Sequence, residues 1–123
     1  MYTLDTNVII YYLKGDENAV FVVDEMLAKH TTMYVSAISE TELFRFPQLS
    51  EQEVVEIDAM FRSLSVIPVD SKIARMAGEI QKLYGLQTAD GIIAATAVFT
   101  GTTLVTRNVR DFKKVPTLNI KAI

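Results

Sequence analysis

The sequence predicts an α/β fold: a central parallel sheet with helices over both faces. Two observations carry this expectation. Short β-branched or aromatic segments alternate with longer segments of helical periodicity along the chain, the order that parallel strands joined by crossover helices produce. One helical segment, Ala89 to Phe99, is apolar almost all round and so demands burial on every side.

The elements follow in order. Tyr2-Thr3-Leu4 reads as a strand ending at Asp5, then a short helix from Asn7 to Leu13 that Lys14-Gly15 stops. Ala19, Val20, Val22, Val23, Met26 and Leu27 recur at helical spacing. Thr32 to Ser36 is a strand, and Ser39 to Phe46 a helix stopped by Pro47. Val54, Ile57, Phe61 and Leu64 form the stripe of the next helix. Val66 to Val69 is a strand whose Pro68 marks a sheet edge or a strand end. Ile73, Met76, Ala77, Ile80, Leu83 and Tyr84 stripe a further helix stopped by Gly85. After the buried helix and Gly101 come a strand at Thr103–Thr106 and a last short one at Leu118–Ile120.

The 123 residues, half of them hydrophobic, suffice for one domain spanning 1–123 with its own core. No linker-like tract or internal repeat divides them. Cysteine is absent, which excludes disulfides, thiolate zinc sites and cysteine nucleophiles and fits a reducing cytoplasm. Met1 to Asp5 lacks the basic start of a secretory signal. The longest apolar stretch, Gly91 to Val105, is too short for a bilayer, so a soluble cytoplasmic protein is expected. A net charge of −3 argues against a simple electrostatic binder of nucleic acid, but not against an enzyme whose carboxylates hold cations. No GxxxxGK[ST] segment is present, which excludes a P-loop.

Ligands of parallel sheets bind beyond the carboxyl ends of the strands, and four acids fall there. Asp5 ends the first strand, Glu42 lies early in the helix after the second, Asp90 opens the buried helix, and Asp111 follows the strand at Thr103–Thr106. Each has a structural alternative. Asp5-Thr6-Asn7 suits a helix cap, Ser39-Glu40-Thr41-Glu42 has the form of a capping box, and Thr88 or Asp90 suits the cap of the buried helix. Asp111 reads equally as a loop acid. Clustered carboxylates repel unless a cation joins them, and an all-oxygen cluster favours Mg²⁺ or Mn²⁺. His30, the one histidine, sits beside Lys29 near a helix end and suits a solvated or capping role.

Three segments together resemble the PIN-domain family, especially the VapC-like toxins of bacterial and archaeal toxin–antitoxin modules. They are Leu4-Asp5-Thr6-Asn7-Val8-Ile9-Ile10, then Val35-Ser36-Ala37-Ile38-Ser39-Glu40-Thr41-Glu42-Leu43, and last Ala89-Asp90-Gly91-Ile92-Ile93-Ala94-Ala95-Thr96-Ala97 running on through Leu104-Val105-Thr106-Arg107-Asn108-Val109-Arg110-Asp111-Phe112. The resemblance implies a three-layer α/β/α sandwich with a central parallel sheet. It implies a ribonuclease that hydrolyses RNA phosphodiester bonds with Mg²⁺ or Mn²⁺ held by Asp5, Glu42, Asp90 and Asp111. Thr106 and Asn108 then orient the attacking water, and Arg107 and Arg110 hold RNA. It also implies a homodimer and a small antitoxin protein as partner, for which Tyr11, Tyr12, Phe44 and Phe46 offer apolar surface. Gly91 departs from the pattern, where such sequences more often carry alanine; it loosens the first turn of its helix or admits a phosphate.

Two rivals stand beside this one. An aspartyl-phosphate enzyme with Asp5 as nucleophile would want a second acid at position 7, where Asn stands, or a lysine on a late strand, which Thr103–Thr106 does not offer. A catalytically silent PIN-like domain would bind a partner only.

Overall fold

The computed structural model describes residues 1–123. The chain runs β1 (Tyr2–Leu4), α1 (Thr6–Leu13), α2 (Glu17–Ala28), β2 (Met33–Ser36), α3 (Ile38–Phe44), α4 (Glu51–Arg62), β3 (Ser65–Ile67), α5 (Ser71–Tyr84), α6 (Thr88–Thr100), β4 (Thr103–Thr106), α7 (Val109–Phe112) and β5 (Asn119–Ala122). The strands form one sheet in the order β3-β2-β1-β4-β5, and every neighbouring pair is parallel. The expected three-layer α/β/α sandwich is the observed one.

Strand alternation sorts the two layers. Leu4, Met33, Val35 and Val105 face one side, where they are buried with Val8 and Ile9 of α1, Val23 and Met26 of α2, Leu43 of α3 and Ile57 and Met60 of α4. Leu104 faces the other side and packs with Ile93, Ala94 and Ala97 of α6 and Phe112 of α7. On that side α5 covers α6 through Ile73 and Ala77 against Ala95. The all-round apolarity of α6 is thus explained: six of its residues from Gly91 to Ala97 are buried.

Local chemistry sets the helix ends. Asp16 and Asp70 cap α2 and α5 through their carboxylates. Gly85 and Gly101 end α5 and α6 in the left-handed conformation. His30, just past α2, adopts the same conformation at φ 52° and donates its backbone N–H to Leu27, so it closes a helix.

Several boundaries differ from expectation. β3 ends at Ile67, before Pro68, and lies at the sheet edge. β5 begins one residue later than expected and extends to Ala122. The short helix α7 is an addition: four residues are too few to show a stripe. The capping box is a correction. Ser39 lies inside α3, whose N-cap is Ala37, while the box forms at Ser50 and Glu53, at the start of α4. Both segments spell Ser-x-x-Glu. They diverge because Ala37 already has helical dihedrals, which draws Ser39 into the first turn.

Candidate active site

The order β2-β1-β4 brings three of the acidic segments to one edge. Asp5 continues β1, its N–H donating to Val105 of β4 at 3.1 Å. Its residue is only 3% exposed. It occupies the N-cap position of α1, but its side chain does not cap. Instead Oδ2 accepts a hydrogen bond from Thr106 Oγ1 at 2.8 Å. Thr106 Oγ1 in turn accepts the Asn108 N–H at 2.9 Å, so β4, the following turn and Asp5 are locked together. Burial pushes the Asp5 carboxyl up to about 6; the Thr106 hydrogen bond opposes this, and the charges of Asp90 and Glu42 add to it.

Glu42 leans on a pair of hydroxyls. Thr6 Oγ1 donates to Glu42 Oε1 at 2.6 Å and lies 2.6 Å from Ser39 Oγ. Thr6 has one hydroxyl proton and spends it on Glu42, so Ser39 is the donor in the second bond. Asp90 lies in the first turn of α6, where helix N–H dipoles favour an anion. The N-cap there is Gln87 and no side chain caps. The Asp90 pKa is nevertheless raised, by burial first, then by Glu42, then by Asp111. Asp111, on α7, accepts from Asn108 Nδ2 at 3.0 Å and has Lys114 Nζ at 3.7 Å.

No side chain caps α1, α3 or α6, and the charges of Asp90 and Glu42 reach Asp5 while those of Glu42 and Asp111 reach Asp90. No three of them are gathered closely enough to hold one ion as the side chains stand. Each of Asp5, Glu42 and Asp111 is instead held by a neutral hydroxyl or amide. Thr6 and Ser39 were missed from sequence as supports; the available signal was a polar pair, later found buried, beside two of the candidate acids.

The basic residues separate. Arg107 pairs through Nη2 with Asp16 Oδ1, and its guanidinium carbon lies 4.2 Å from the centre of the Tyr11 ring. Arg110 is exposed and makes no ion pair. Gly91 does not face an open space that could admit a phosphate: a Cβ there would stand 2.7 Å from Gln81 Cγ and 3.3 Å from the Ala77 carbonyl oxygen. Gln81 fills that gap, and its Nε2 donates to Leu86 O at 3.3 Å and Thr88 Oγ1 at 3.1 Å. A groove of about 490 Å³ lies beside α1, α3 and α4, with Ile10, Leu13, Leu43, Phe46, Leu49 and Ile57 as its apolar lining and Lys14, Gln48, Glu53 and Glu56 among its polar residues. Of the four expected aromatics only Phe46 lines it; Tyr12 donates to Asp24 instead, Tyr11 lies under Arg107, and Phe44 is exposed elsewhere.

The model of the PIN domain family matches residues 2–118. The chain belongs to the PIN-domain family. Curated relatives of this PIN domain include ribonuclease VapC2 of Rickettsia felis, 30% identical with 96% of this chain and 94% of the relative covered. Ribonuclease VapC19 of Mycobacterium tuberculosis is also 30% identical, over 96% of this chain and 97% of the relative. Among solved structures it resembles VapBC2 from Rickettsia felis bound to a promoter DNA fragment, with TM-score 0.83, 26% identity and 99% and 98% of the two chains covered. A toxin–antitoxin complex from Klebsiella pneumoniae matches with TM-score 0.81, 26% identity and coverage of 96% and 95%.

Proposed function

We propose that this PIN domain is the toxin of a toxin–antitoxin pair, an endoribonuclease that hydrolyses RNA with Mg²⁺ or Mn²⁺ held by Asp5, Glu42, Asp90 and Asp111. The observation that carries the reading is Asp5: a nearly buried carboxylate, whose pKa burial first and the charges of Asp90 and Glu42 after it raise to about 6, is costly unless a cation joins it. The donor set fits a hard divalent ion, being four carboxylates without histidine or cysteine. Such an ion, when bound, activates water and polarises the phosphoryl group.

The protein's own groups do the positioning. Thr106 fixes the Asp5 carboxylate, Thr6 fixes Glu42 and Asn108 fixes Asp111. In this reading Thr106 and Asn108 also orient the attacking water. Arg110 holds RNA phosphate from α7. Hydrolysis by water leaves 5′-phosphate and 3′-hydroxyl ends. The groove beside α1, α3 and α4 seats an apolar segment of the antitoxin, and the domain pairs with a second copy. No helix is long and apolar enough to cross a membrane, in keeping with action on RNA in the cytoplasm.

The test is cleavage of a pooled RNA with Mn²⁺, Mg²⁺ or EDTA, with the new ends mapped, for wild type, Asp5→Asn and Asp90→Asn. Cleavage confined to wild type with metal supports the reading. Ends bearing 2′,3′-cyclic phosphate, or no cleavage with either metal, would overturn it in favour of another nucleophile or a silent binding domain.

A further inference from the structure

Arg107 is the one residue between Thr106, which holds Asp5, and Asn108, which holds Asp111. Its side chain leaves that turn and crosses to the α1–α2 corner. There it meets two partners from different helices: the carboxylate of Asp16, which also caps α2, and the face of Tyr11 on α1. Both charged side chains are partly shielded, at 30% and 33% exposure. Arg107 holds the Asp16 carboxyl below its usual range. A guanidinium tied through Nη2 to a carboxylate and stacked on a ring is turned toward the α1–α2 corner, with part of its charge already matched.

We propose that Arg107 is a positioning residue: with Asp16 and Tyr11 it clamps the 106–111 turn to the α1–α2 corner and so sets the reach of Asp5 and Asp111 toward the metal. This rests on the reading of the acids as a metal site. Arg107 then serves that site through the backbone on either side of it, and Arg110 alone of the pair faces RNA.

Asp16→Asn and Arg107→Gln separate the clamp from a phosphate grip. Asn still caps α2, so the first variant removes only the charge. It also weakens the hold on the Arg107 guanidinium, which loses its ionic partner. Partners that orient ligands are worth 10- to 100-fold in metal affinity or activity. The clamp therefore predicts that both variants, and the double variant no more than either, raise the Mn²⁺ concentration for half-maximal thermal stabilisation about tenfold. They lower kcat on RNA similarly and leave KM and its salt dependence unchanged. Amide exchange of residues 107–111 quickens in metal-free protein, and Arg107→Lys, which keeps charge but not the fork, recovers part of the loss. Two outcomes overturn the proposal. In one, Arg107→Gln raises KM and flattens the salt dependence while Asp16→Asn does neither, which makes Arg107 a phosphate grip. In the other, neither variant changes exchange in the turn. Should wild type itself ignore Mn²⁺, the metal reading falls, and the exchange measurement still decides whether the clamp exists.

Discussion

At the amino end of β1 and β4, Thr3 and Thr102 share a hydrogen bond of 2.6 Å in full burial. Thr102 also meets Thr100, at the end of α6, at 3.0 Å. At the carboxyl end of the same two strands, Asp5 accepts from Thr106 at 2.8 Å. Strand pairing, burial and bond length are much alike, yet the first pair is neutral and fully satisfied, and the second carries a charge that burial disfavours. Hydroxyls gain a partner and lose nothing further. A carboxylate beside two others keeps a residual demand for positive charge. One end of the sheet is satisfied by its own hydroxyls, and the other gives stability up to bury an acid.

The largest expected effect falls at the charged end. Asp5→Asn keeps the size and an acceptor for Thr106 but removes a proposed metal ligand, and metal assistance is worth several kcal/mol. Cleavage should fall about a thousandfold, read as single-turnover rate with Mn²⁺, and thermal stabilisation by Mn²⁺ should vanish. A variant that kept the Mn²⁺ response would break the comparison.

Next comes stability without metal. The Asp5 pKa is about 6 in the folded chain against 3.8, so the folded state binds this proton more tightly than the unfolded state. Stability then falls as pH rises from about 4 to about 6, by about 3 kcal/mol in all. In EDTA, Asp5→Asn should be more stable than wild type by up to that amount at pH 8 and equal to it near pH 4. Urea midpoints at the two pH values check this; equal curves at pH 8 would remove the cost assigned to the charge.

The two hydroxyl partners sharpen the contrast. Thr102→Val and Thr106→Val should each cost about 1–3 kcal/mol, the range for a buried partner left unmet. The cost of Thr106→Val should grow as pH rises past about 6, because its bond favours ionised Asp5. That of Thr102→Val should be flat with pH. The smallest effect belongs to the double variant Thr3→Val/Thr102→Val, which replaces both partners by groups of similar shape and should recover much of the loss. It should leave the Mn²⁺ response intact.

Much of this was legible in the residues. Alternating periodicities place five strands and the buried α6, and the parallel-sheet rule puts Asp5, Glu42, Asp90 and Asp111 at one edge. The choice between cap and cluster was not legible. Ser39-x-x-Glu42 and Ser50-x-x-Glu53 are the same word, and only the backbone at Ala37 and the neighbouring Thr6 decide that the first is no cap. The partnership of Arg107 with Asp16 joins residues 91 apart, a contact that local pattern does not encode. Tyr11 and Tyr12 read as apolar surface because sequence shows a ring but not the guanidinium above one or the carboxylate beside the other.

The gap above Gly91 ties two positions into one inherited unit. Alanine at 91 would place a methyl group 2.7 Å from Gln81 Cγ. A lineage can gain that methyl smoothly only after position 81 has shortened or swung aside. Glutamine at 81 keeps its present position only where 91 is glycine. The order of substitutions is thus constrained, and among relatives the two positions should change together, a long side chain at one accompanying glycine at the other.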